Sequence, residues 1–141
     1  FISKALIKLS VYWVIMDAII IEGLKVDTVI GCFNWERQII QPLMLDLTIH
    51  NDLNQAAQSD ELDDTLNYAQ ICELAAQVIQ QAKPKLIEHA AQLVLEKLFL
   101  VFPSIESIII TIRKPAIIAQ ANAVGIRLER NRNDFCARTG E

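Results

Sequence analysis

Two histidines, three cysteines and four glycines are all that this 141-residue chain holds of the residue types that most often build metal centres, redox couples and phosphate loops. Each shortage excludes something. A catalytic zinc site takes three protein ligands, often with two or three histidines among them. The chain has only His50 and His89, with cysteines scattered at positions 32, 72 and 136, so no metal site is expected. The cysteines are odd in number and show no metal or redox spacing. They read as free thiols of a reducing cytosol, with Cys72 on an apolar helix face as plain core packing. There is no Gly-rich phosphate loop and no G-x-S-x-G nucleophile elbow. Basic charge is short as well: 13 Lys and Arg stand against 17 Asp and Glu, a net −4 that argues against a nucleic-acid partner. No uninterrupted apolar run reaches about 18 residues, so no membrane span is expected.

What is present is apolar. Hydrophobic residues make up 52% of the chain. A single domain of this length buries roughly two-thirds of the surface of its unfolded chain. The opening "FISKALIKLSVYWVI" differs from the rest. Lys4 and Lys8 followed by an apolar stretch resemble a weak signal peptide, but a small-x-small cleavage site is missing. Residues 1–15 are expected to be an upstream extension or an expression remnant, with Met16 as the natural start, 16–131 as the domain and 132–141 as a polar C-terminal tail.

Periodicity orders the domain. "AIIIEGLKVDTVIG" (18–31) is β-branched and reads as a strand, irregular around Gly23. Residues 32–41 connect it to a second strand, 42–51, in which Leu43, Leu45, Leu47 and Ile49 alternate with Met44, Asp46, Thr48 and His50. The acidic stretch 52–67 reads as a long connection. A helix over 68–82 follows, carrying Ile71, Leu74, Ala75, Val78 and Ala82 at helical spacing. Asn67 is its N-cap, and Gln70 completes a capping-box pattern. Pro84 separates it from a second helix, 86–102, which Pro103 stops. Residues 105–114 and 123–131 read as a third and a fourth strand, and the tail from Asn131 as frayed. The order β-β-α-α-β-β is an α+β class: a four-stranded antiparallel sheet with two helices on one face. The other sheet face is left over, too poorly charged for open solvent, and a subunit neighbour is expected to cover it.

Four polar residues stand at element edges: Glu36 in "NWER", Tyr68 after "DDTLN", Glu88 in "LIEHAA" and Lys114 in "IRKPA". Singly, each has a plain reading. Glu36 fits a turn, Tyr68 a plug at the core edge, Glu88 a partner for the helix dipole and Lys114 a solvated strand end. In order, however, "IIIEGLKVDTVIGCFNWER", "DTLNYAQI", "LIEHAAQLV" and "IRKPAI...ANAVGIRLER" resemble the dihydroneopterin aldolase family of folate biosynthesis, from Met16 to about Arg130.

The resemblance implies a tunnelling fold. Four subunits set their sheets edge to edge as a barrel with helices outside, in a homo-oligomer (tetramer or octamer) with active sites between subunits. It implies a cytoplasmic lyase acting on a pterin. 7,8-Dihydroneopterin is cleaved to 6-hydroxymethyl-7,8-dihydropterin and glycolaldehyde, with C2′ epimerisation to 7,8-dihydromonapterin as a side activity. The pterin C=N at position 5 is the electron sink, so neither cofactor nor metal is implied. By the same resemblance, Glu88 anchors the pterin, with Ile87 beside it. Lys114 serves N5, and Tyr68 of a neighbouring subunit handles protons on the side chain. Glu36 orients Lys114 or the trihydroxypropyl chain, and Thr65, Leu66 and Asn67 line the pocket, with Asp60 behind them. The chain departs from the family at Phe33, where some members have tyrosine, and at Asn67, where others have His or Ser. The paralogous dihydroneopterin triphosphate 2′-epimerase is the alternative reading. It needs several Lys or Arg at the site, and Arg37 and Arg113 are the ones available.

Overall fold

The computed structural model describes residues 17–116 and 118–139. The chain forms β1 (Ala18–Thr28), a 3-10 turn (Glu36–Gln38), β2 (Gln41–His50), a short helix α1 (Asn54–Ser59) and a second 3-10 turn (Leu62–Asp64). Then come α2 (Tyr68–Ala82), α3 (Ile87–Val101), β3 (Ser107–Pro115), β4 (Ala123–Asn131) and α4 (Arg132–Thr139). The strands make one antiparallel sheet in the order β1-β2-β3-β4, which leaves β1 and β4 as its edges. Residues 1–15 and Met16 lie outside the described residues, so their expected role stays an expectation. Among the described residues no helix is long and apolar enough to cross a membrane.

The alternation read from the sequence is the core. Leu43, Leu45, Leu47 and Ile49 of β2 and Ile108, Ile110 and Ile112 of β3 are fully buried on one sheet face. They meet Ile71, Ala75 and Ile79 of α2 and Ile87, Ala91, Val94, Leu95 and Leu98 of α3. Each large side chain so buried contributes about 1.5–3 kcal/mol, and this face fixes the register. On the other face Met44 is exposed, and Asp46, Thr48 and His50 are half-buried.

β1 pairs with β2 through a bulge between Ile21 and Leu24. Gly23 takes φ +67 there, and its N–H donates to Asp46 Oδ1 at 2.7 Å. Asp46 also pairs with Arg113 across the outer face. The guanidinium and the Gly23 N–H, against a smaller opposing effect of burial, hold the Asp46 carboxyl below its ordinary value. β1 ends at Thr28, short of the expected Gly31. Ile30 leaves the ladder to enter the core, and the Gln41 side chain takes its carbonyl.

Two segments expected to be irregular are not. The connection 52–67 holds α1, a helix without a buried residue, so it has no apolar stripe to signal it. Polar contacts hold it instead. Asp52 accepts the Asn54 N–H at 2.9 Å, and Asp64 accepts from Gln55 at 3.0 Å and from Ser59. The tail expected to fray forms α4. Asn131 Oδ1 accepts the Asp134 N–H at 2.7 Å, and Asp134 accepts the Asn131 N–H at 3.4 Å, a reciprocal cap. Arg132 then donates to the carbonyls of Phe99, Phe102 and Ile105 at 3.0, 2.8 and 3.0 Å, and lies over the Phe99 ring. Two of these carbonyls close the C-terminal end of α3, where the last helical acceptors lack helix partners.

Candidate active site

The connection between β1 and β2 buries a carboxylate. Gly31, at φ +122, turns the chain, and the N–H of Glu36 returns to the Phe33 carbonyl at 2.9 Å. This folds the Glu36 side chain inward, where the residue is 1% exposed. A Cβ on residue 31 would lie 2.2 Å from Glu36 Cδ, so only glycine fits on both counts. Trp35 and Phe33 point outward with nearly parallel rings, their centroids 6.4 Å apart.

A buried carboxylate is costly unless paired and hydrogen-bonded. Glu36 Oε2 accepts from Lys114 Nζ at 2.8 Å and from Gln41 Nε2 at 3.0 Å, and Oε1 accepts the Phe33 N–H at 3.3 Å. The Lys114 side chain, at the end of β3, is 16% exposed. Burial pushes the Glu36 carboxyl up. The bonds from Lys114, Gln41 and Phe33 and the charge of Lys114 together outweigh burial and hold the group below its ordinary value. The Glu36 carboxylate is therefore ionised, and Lys114 reaches it across 78 residues of chain.

Arg37 joins this loop to the helical layer. Its guanidinium donates to the carbonyls of Gly31, Lys83 and Pro84 at 3.1, 2.6 and 3.1 Å. The last two belong to the turn from α2 into α3, so the loop of Glu36 lies against the start of α3. Leu86 is the N-cap of α3 and offers no side-chain acceptor, so no side chain caps the first-turn N–H groups. Exposed Glu88 is in that first turn, and Ile87 beside it is buried in the core.

Tyr68 stands elsewhere. It opens α2, whose 15 residues carry the chain about 22 Å before the turn into α3. The residue is 67% exposed. Asn67 caps α2 by accepting the N–H groups of Ala69 and Gln70 at 3.0 and 3.3 Å, as its position predicted. Leu66 turns its side chain into the core and Thr65 is half-buried, while Asp60 is the left-handed C-cap of α1. The fold thus brings Glu36 and Lys114 together and sets Glu88 on the helix end beside their loop. It leaves Tyr68 and residues 65–67 at the far end of α2. Among the described residues no group of three His, Cys, Asp or Glu is arranged to hold a metal.

The sequence reading missed Gly31 and Gln41 as parts of the site. A glutamine just before the proline that opens an apolar strand was the available signal for Gln41. Arg37, weighed there as a phosphate ligand, is spent on three carbonyls.

A sequence model of the dihydroneopterin aldolase family matches residues 19–129. A dihydroneopterin aldolase of Streptococcus pyogenes serotype M18 is 39% identical over 119 residues, covering 83% of this chain and all of that one. A dihydroneopterin aldolase of Escherichia coli strain K12 is 38% identical over 118 residues, covering 84% of this chain and 96% of the relative. The crystal structure of an E. coli dihydroneopterin aldolase in complex with neopterin superposes with a TM-score of 0.78 at 37% identity, over 82% of this chain and 100% of the other.

Proposed function

The chain belongs to the dihydroneopterin aldolase family and has that lyase activity in folate biosynthesis; from that premise we propose which residues perform the cleavage and how the site is assembled. In the reaction, 7,8-dihydroneopterin loses the proton of its 2′ hydroxyl and the C1′–C2′ bond breaks. Glycolaldehyde leaves, and the electron pair enters the pterin at its C=N. The protein must remove one proton and supply another, which are general acid–base tasks. The ion pair of the buried Glu36 carboxylate with half-buried Lys114, at 2.8 Å, carries this reading. An ammonium held by an ionised carboxylate is a positioned proton donor for N5, acting through water. Of the two roles expected for Glu36, its geometry favours orienting Lys114.

Glu88 anchors the pterin. Its carboxylate accepts from the ring amide N–H and the 2-amino group as a charge-assisted pair. The α3 N–H groups beside Ile87, left without a side-chain cap, serve the ring acceptors. Tyr68, with the backbone of Thr65, Leu66 and Asn67, comes from a neighbouring subunit. Two features support this. Tyr68 is a helix length away from Glu88 and the loop of Glu36, and β1 and β4 are open edges, which natural sheets cover or pair. Edge-to-edge pairing into a tetrameric or octameric barrel answers both. We assign the aldolase domain to residues 16–131, and a cytoplasmic location fits the free Cys32 and Cys72. C2′ epimerisation is expected from the same groups, by return of glycolaldehyde before release. The triphosphate epimerase alternative loses its cations, since Arg37 is held by carbonyls and Arg113 by Asp46.

Chromatography of products from dihydroneopterin and from its triphosphate tests the assignment. Glycolaldehyde and the hydroxymethyl pterin are expected from the first, and borohydride added during turnover traps no adduct on Lys114. An adduct there, or turnover of the triphosphate alone, overturns it.

A further inference from the structure

Gln41 has no part in the roles above, yet it is 8% exposed at the first position of β2. Its backbone is in register with Thr28 of β1. Its amide nitrogen donates to the Ile30 carbonyl at 2.9 Å and to Glu36 Oε2 at 3.0 Å. Both contacts are oxygen acceptors. This dictates the amide's orientation, because the flipped form would turn its oxygen toward a carbonyl and a carboxylate. The Glu36 carboxylate is therefore held on three sides. Gln41 and Lys114 share Oε2, the Phe33 N–H takes Oε1, and Gly31 closes the space behind, where even a Cβ would not fit. Lys114 is the charged side chain turned to Glu36. Arg37, on the same turn, faces backbone carbonyls, and Arg113, beside Lys114 on β3, faces Asp46.

Resting on the reading of Glu36 and Lys114 as the proton-handling pair, we propose that Gln41 is a positioning residue of the reaction. By bridging the Ile30 carbonyl and Glu36 Oε2, it fixes which carboxylate oxygen meets Lys114 and so where the ammonium stands beside the pterin. Without its donor the carboxylate stays buried but less well solvated by the protein. Glu36 then takes up a proton at higher pH and Lys114 loses its fixed partner. The pterin edge is held elsewhere, so the damage falls on kcat.

The test is the pH dependence of kcat and KM for dihydroneopterin in Gln41→Met, Gln41→Glu and Glu36→Gln. Gln41→Met keeps the length and removes both donors. Its acid limb should move up by about one pH unit, the scale of one hydrogen bond to a charged group, with KM within about two-fold of wild type. Gln41→Glu keeps the shape and sets a second carboxyl against Glu36, so its acid limb should move further in the same direction. It decides the matter if Gln41→Met does not fold. An acid limb that coincides with wild type in a folded variant, with only thermal stability lowered, would reduce Gln41 to a loop tether and overturn the proposal. Glu36→Gln separates the two levels. Lost activity there with unmoved Gln41 profiles sinks the positioning claim alone, whereas wild-type activity and profile there removes Glu36 from the chemistry and both readings fall.

Discussion

Replacing Lys114 by methionine leaves the Glu36 carboxylate buried beside an apolar side chain of similar length. Breaking a buried pair by removing one partner costs roughly 3–5 kcal/mol, because the remaining charge is uncompensated. Here Gln41 and the Phe33 N–H still donate to Glu36, so the lower end, about 3 kcal/mol, is expected. For a domain of this size that is a fall of about 10 °C in Tm. The loss should depend on pH. In the wild type the Glu36 carboxyl lies below its ordinary value. Its contribution is therefore present above the unfolded carboxylate range and is lost as pH falls through the folded value. In the variant, burial is opposed by fewer partners and the same carboxyl titrates higher. The gap between the two proteins is then full near pH 7. It narrows as pH falls through the variant's raised value, and goes on narrowing until the wild-type carboxyl is also protonated. Calorimetry at one protein concentration from pH 7 to about pH 4 measures it. The double variant Glu36→Gln, Lys114→Met has no stranded charge and should be more stable than Lys114→Met alone. A gap as wide at pH 4 as at pH 7, or a double variant no more stable than the single, would refute the reasoning.

Other consequences are simpler. Glu88→Gln turns one of the two carboxylate acceptors proposed to face the pterin edge into a donor. The hydroxymethyl product should bind about ten-fold more weakly by calorimetry, a cost of about 1–3 kcal/mol. Gly31→Ala forces a side chain onto φ +122 and into the Glu36 carboxylate. It should cost at least about 1–3 kcal/mol in urea melts and lower kcat together with stability. Arg132→Ala frees the carbonyls of Phe99 and Phe102 at the end of α3 and that of Ile105 before β3, with an expected loss of about 2 kcal/mol. Arg132 touches none of the proposed site residues, so kcat at 25 °C should hold.

The sheet and its two main helices were legible because burial imposes a period. The alternation in 43–49 records which side chains the core requires, and Asn67 announced the start of α2; within that helix the spacing found Ile71 and Ala75, but Ile79 and not the exposed Ala82 completes the buried stripe. Elements stabilised by polar contacts carry no such period. That is why α1, with no buried residue, was read as a connection. α4 was missed although "NRND" holds the reciprocal cap of Asn131 and Asp134. A cap with Asp in place of Glu, followed by few apolar residues, is a weak signal. The proposed site residues Glu36, Tyr68, Glu88 and Lys114 were singled out through family motifs and not through periodicity. Gln41 and Gly31 escaped because their roles exist only after folding. One donates across a turn, and the other leaves room for a carboxylate five residues on.

The central claim is that one active site takes Glu36, Lys114 and Glu88 from one chain and Tyr68 from another. Complementation tests it most directly. Inactive Tyr68→Phe and Glu88→Ala chains are unfolded and refolded together in equal amounts, and the mixed oligomers are isolated and assayed with dihydroneopterin. Where each site draws on two chains, random assembly restores roughly a quarter of wild-type activity. No activity above that of the parent variants, in oligomers shown to contain both chains, would place all four residues within a single subunit and contradict the account.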